Sequence, residues 1–221
     1  MLYYPMEKER IVLVRKLKEL WMGNRWYFAV GSLLMLGGAL IGFFQAETIQ
    51  QLAQSMLSRL QQIADSLKEN NTPANAFWLI FKNNVTSSVA MMVLGLFFAI
   101  IPVSGLISNG VLLGYILEVM HSKGINWLQV FVIGILPHGI FELPAVIFAA
   151  SLGIRYGVLV MRSIGLLLGA GQKERVKNDW LTVFRQFPSA LFTVIALLFV
   201  AAVIESVLTP RLVQNTFGTT V

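Results

Sequence analysis

Apolar runs of about the length that crosses a bilayer recur along this chain, at about Phe28 to Phe44, Val85 to Ile101, Trp127 to Leu152 and Phe187 to Leu208, with a shorter one at about Leu106 to Met120 that is expected to be tilted, partly buried or set deeper than the interface. A hydrocarbon core of roughly 30 Å takes about 20 helical residues. Backbone N–H and C=O groups have no water to bind at that depth, so each segment must satisfy them internally, as a helix does. Composition agrees: 56% of residues are hydrophobic and 13% charged, with mean hydropathy +0.70, whereas soluble domains average about 45–50% and about 25%. The expected fold class is therefore all-α, a polytopic helical membrane protein. No hydrophilic stretch is long enough for a second core, so one membrane domain over 27–208 is expected.

Charge placement gives the expected orientation. Lys8, Arg10, Arg15, Lys16, Lys18 and Arg25 all precede the first run, and Trp21, Trp26 and Tyr27 stand at its mouth. Basic residues favour the cytoplasmic side and aromatic residues the interface, so the N-terminus is expected inside. The basic stretch and the apolar run both exceed signal-peptide lengths, which favours a retained anchor. Ile11, Val14, Leu17 and Trp21 recur at helical spacing, marking 1–26 as a basic amphipathic segment on the inner leaflet. The formal charge of +6 lacks the fold context of a nucleic-acid module, so no nucleic-acid partner is expected.

The only long polar region is Glu47 to Glu69, where Ile49, Leu52, Met56, Leu60, Ile63 and Leu67 form one stripe. The spacing predicts an external amphipathic helix that covers the membrane domain or meets a partner. Asn70 to Pro73 break it, and an Asn of Asn83-Asn84 is placed to cap the next span. Pro102 is expected to end that span, with Ser104 to Gly110 as a turn and Gly124 as a later helix stop.

Trp127 to Leu152 contains Pro137 and Pro144, which predicts either a kinked crossing or a re-entrant pair of half-helices. Gly153 to Ala170 carries Arg155 and Arg162 on one face, and Lys173, Arg175, Lys177 and Arg185 follow. An inside N-terminus and an inside basic loop both hold for five full crossings plus one re-entrant or interfacial helical segment. A short external tail, 209–221, then follows.

His138 and Glu142 stand one helical turn apart inside this apolar setting. Ionisable groups are costly in hydrocarbon and usually face protein or a cavity, where they pair or function. The expected intramembrane polar site is His138, Glu142, Asn109, Asn84 and Asn83, with Arg155 and Arg162 as charge partners. Its roles divide between a buried hydrogen-bonded pair and a proton relay, ligand site or dyad. One imidazole and one carboxylate are half of a zincin helix. Gly-x-Ser-x-Gly, Walker A and Rossmann patterns are absent, and zero cysteines exclude thiolate chemistry. No catalytic residue, metal or cofactor is expected. Gly31, Gly37, Gly38 and Gly42 fit small-residue packing between membrane helices.

Phe81-Lys82-Asn83-Asn84, then Ser108-Asn109-Gly110 with Gly114, then Pro137-His138-Gly139-Ile140-Phe141-Glu142-Leu143-Pro144-Ala145 resemble the stage II sporulation protein M family. The likeness covers roughly Asn83 to Gly171. It implies a multi-pass protein of the cytoplasmic membrane, a non-enzymatic anchor or scaffold that, in endospore formers, holds peptidoglycan-degrading enzymes of the cell envelope during engulfment. The family also occurs outside spore formers. The rival expectation is a small-solute or ion channel or transporter built on the His/Glu site. Membrane lipids are expected partners of either, and a homo-oligomer stays open.

Overall fold

A computed structural model describes residues 3–51, 54, 57, 58, 61, 62, 72–169 and 171–218, with side chains from 15 onward. Among these, five helices are long and apolar enough to cross a membrane. They are α1 (Tyr3–Phe44), α2 (Pro73–Leu94), α3 (Ile100–Ser122), α4 (Trp127–Leu167) and α5 (Lys173–Phe217). The all-α expectation and the five spans hold. Most of Glu47 to Glu69 lies outside the described residues; Ile49 and Leu57, with Val119 of α3, pack against the buried pair Ala46 and Tyr115.

Several boundaries differ from the sequence reading. The amphipathic segment and the first span are one continuous helix, α1. Thr72, rather than an Asn, caps α2: its Oγ1 accepts from the Asn75 N–H at 3.3 Å, and Pro73, which has no N–H to waste, opens the helix. The break between α2 and α3 falls at 95–99, where Phe98 and Ala99 take positive φ of 55° and 62°. Pro102 and Ser104 to Gly110 consequently lie within α3. Gly124 does terminate this helix, at φ 79°. At the other end of the chain, α5 continues through Pro210 to Phe217, past the expected tail boundary.

The proline-bearing segment is not a re-entrant pair, and Gly153 onward is not a separate interfacial helix. Both belong to α4, 41 residues long, which at about 60 Å outreaches a bilayer core of about 30 Å. Continuity across Pro137 comes from a π-helical turn at Phe131–Ile135, closed by the Leu136 N–H on the Phe131 carbonyl. Widening that turn accommodates a residue that has no N–H and crowds the carbonyl four places back. Pro144 sits inside the same helix.

Helix directions follow from which residues meet. A Cβ on Gly38 would strike the Ile107 carbonyl, and one on Gly42 the Val111 carbonyl; conversely Gly110 faces the Met35 carbonyl and Gly114 that of Ala39. Both numberings rise together, so α1 and α3 run parallel through two interlocked Gly-x-x-x-Gly seams. Gly31 lies on Ile147 and Ser151 while Asn24 meets Arg155, so α4 runs opposite to α1. Gly95 faces the Gly153 backbone and Gly157 faces Ala99, docking the α2–α3 turn on α4.

α4 is the central helix, packed against all four others. Its stretch Ala145 to Gly157 is buried at every position but Ile147, a helix without a solvent face. The outward surface remains apolar, with Leu33, Phe44 and Phe192 among its exposed residues. Residues 15–25 and the start of α5 lie at one end of the bundle, joined by Gln186 and Glu19; Phe43, His121 and Trp127 cluster at the other.

Gly42→Val should therefore wedge α1 from α3 and cost about 1–3 kcal/mol by overpacking, read as a lowered melting temperature in detergent. Gly37→Ala, with nothing within 4 Å of the added carbon, should stay within about 0.5 kcal/mol of the parent.

Candidate functional site

His138 and Glu142 occupy one face of α4, a turn after the π-helical turn that re-aims it. His138 Nε2 lies 3.9 Å from Glu142 Oε2, with side chains 12% and 22% exposed. From α2, Asn84 Nδ2 donates to Glu142 Oε1 at 2.9 Å. From α5, Thr209 Oγ1 lies 3.3 Å from His138 Nδ1, and Glu205 brings a carboxylate within 4.8 Å of ligand atoms on both His138 and Glu142. Two one-turn pairs, His138 with Glu142 and Glu205 with Thr209, thus face each other across antiparallel helices, and Asn84 closes the group from a third.

Of the residues expected at this site, the structure brings His138, Glu142 and Asn84 together. Asn83 is adjacent, donating to Asn84 Oδ1 at 3.3 Å from an exposed position. Asn109 is elsewhere; its amide donates to the Gly105 carbonyl at 2.8 Å on its own helix. Arg155 and Arg162 are not partners of Glu142. Thirteen residues separate Glu142 from Arg155 on one helix, about 20 Å along its axis, beyond any side-chain contact.

Arg155 instead forms a second polar node. Its Nη1 donates to Asn24 Oδ1 and Gln186 Oε1, both at 2.9 Å, so α4 is tied to α1 and α5 at once. Asn24 is fully buried and its amide donates to the Leu20 carbonyl. Arg162 makes an exposed pair with Asp179 at 3.4 Å. Glu205 and Thr209 were missed because, read alone, Glu205 stands near the end of an apolar span. The available signal was an acid and a hydroxyl one turn apart, the spacing that puts both on one helical face.

Chemically, two carboxylates and one imidazole facing each other at membrane depth can hold a cation or exchange protons. A groove of about 230 Å³ runs along another face of α4 from Phe131 past Gly139 and Pro144 to Ile147. Its lining is apolar and includes neither His138 nor Glu142.

Asn24→Ala should leave the buried Arg155 guanidinium one acceptor short and lower stability by about 1–3 kcal/mol. Arg162→Ala, at an exposed pair, should cost no more than about 1 kcal/mol. Melting curves of the two variants in one detergent separate these outcomes.

Protein MJ0706 of Methanocaldococcus jannaschii, itself described as uncharacterized, is 26% identical over 166 residues, covering 75% of this chain and 69% of that protein. No solved structure matches. The profile of stage II sporulation protein M matches residues 31–210, from the first glycine seam through the His138, Glu142 and Glu205 cluster to Thr209, and the chain belongs to that family.

Proposed function

We propose that the protein is a non-enzymatic membrane anchor that holds peptidoglycan-degrading enzymes at the cytoplasmic membrane, its basic end inside and residues 45–72 outside. The observation that carries this reading is the use of the interior polar groups: Asn84 on Glu142, Thr209 by His138, and Arg155 on Asn24 and Gln186 each tie one helix to another. A bundle fastened in this way suits a fixed platform. Family membership supports the same reading. Basic residues gathered at one end support the orientation. Contacts to enzymes are assigned to the polar segment between α1 and α2, which starts beside Phe43, His121 and Trp127.

Affinity purification of the intact protein from its native membrane should bring down cell-wall hydrolases, and replacing residues 50–70 by a Gly/Ser linker should reduce their recovery at least tenfold. Equal recovery from both would reject the segment as the contact. Transport is the second reading, and the convergence of Glu205 on His138 and Glu142 favours it. It requires cation or proton flux in proteoliposomes that disappears in Glu142→Gln; the anchor reading expects identical, leak-level flux from both proteins.

A further inference from the structure

We infer that His138, Glu142 and Glu205 form a binding site for one divalent first-row transition-metal cation, held between α4 and α5. Each of the three offers one ligand atom, and these atoms lie within 4.8 Å of one another. Metal–ligand bonds of about 2.0–2.2 Å place neighbouring ligand atoms about 3–3.5 Å apart, so the side chains need to close by up to about 1.5 Å. Rotamer adjustments of that size leave the helices where they are.

The surrounding groups orient the ligands as a metal site requires. Asn84 takes one oxygen of Glu142, Oε1, leaving Oε2 turned to His138 Nε2. Thr209 Oγ1, 3.3 Å from Nδ1, can accept from that nitrogen, and in the tautomer that donates there the imidazole lone pair is on Nε2, the nitrogen nearer that oxygen. Metal-bound histidines use this outer hydrogen bond to set their tautomer.

Charge sets the valence. Ligation takes carboxylates deprotonated and imidazole neutral, so the bound ligand set carries two negative charges, and the arginines of α4 are engaged elsewhere, Arg155 with Asn24 and Gln186 and Arg162 with Asp179. One divalent cation balances the site. A mixed imidazole and carboxylate set suits zinc, iron or manganese better than magnesium or calcium, which favour oxygen alone. The inference is independent of the anchoring role, because occupancy is measured without any hydrolase or flux.

The test uses the full chain, free of any histidine tag, in lipid nanodiscs, stripped with chelator and titrated separately with Zn²⁺ and Mn²⁺. Elemental analysis after gel filtration should find about one metal per chain. Glu205→Gln and His138→Ala should each weaken binding at least tenfold, and Asn84→Ala by about tenfold as a supporting group; Asn109→Ala and His121→Ala should match the parent. If the ligand variants fail to fold, X-ray absorption of the loaded parent reads the ligand set directly, and one imidazole with oxygen neighbours is expected. No retained metal in the parent, an absorption spectrum without imidazole, or binding lost with His121→Ala instead would overturn the assignment.

Discussion

Close approach of helix backbones is the constraint on which this structure depends. Inside a bilayer, lipid tails solvate leucine as well as another helix does, so association relies on dense packing where side chains are small. Gly38 and Gly42 lie on the Ile107 and Val111 carbonyls of α3, Gly110 and Gly114 on those of Met35 and Ala39 in α1, and Gly95 meets Gly153 and Gly157 where the α2–α3 turn rests on α4. Between them lie Ala145, Ala149 and Ala150, all fully buried on the central helix. Backbones brought this near leave no room for a Cβ at the seams. Because these seams fix the depth of α2 and α3 against α4, they also decide which polar side chains stand level with one another.

Two polar nodes follow from that registration, both on α4 and about 20 Å apart along its axis. The deeper one towards the basic end centres on Arg155, whose guanidinium needs several acceptors and finds them on α1 and α5. The other gathers His138, Glu142, Asn84, Glu205 and Thr209 from three helices. Between the nodes α4 is almost wholly small or apolar. Buried charge is stable only when satisfied, and each node recruits partners from helices distant in sequence. The π-helical turn at Phe131–Ile135 matters to the second node, since it sets the rotation of α4 immediately before His138.

Much of the architecture was legible in the chain. Hydropathy and length identified the spans, the +6 charge and its placement separated one end from the other, and the order of Asn84, Asn109 and the Pro137 to Ala145 segment pointed to the family whose profile spans residues 31–210. The glycines of α1 pointed to tight packing before any partner was known. Local rules failed at the boundaries for identifiable reasons. Pro102 is expected to end a span and 209 to open a tail, yet a proline within the first turn of a helix is tolerated, and Pro210 lies inside α5, which runs on to Phe217.

What the sequence by itself determined was class and location: a multi-span helical protein with an ionisable pair, His138 and Glu142, at membrane depth. Those properties are written in one-dimensional quantities, since hydropathy, run length and a spacing of four residues need no knowledge of distant chain. The tertiary structure alone decided the company that pair keeps. Glu205 and Thr209 join it from more than sixty residues away, Asn109 turns to its own helix, and Arg155 serves another node. Such choices depend on how antiparallel helices are rotated and staggered, which glycine seams and one widened helical turn settle, and no local pattern encodes them.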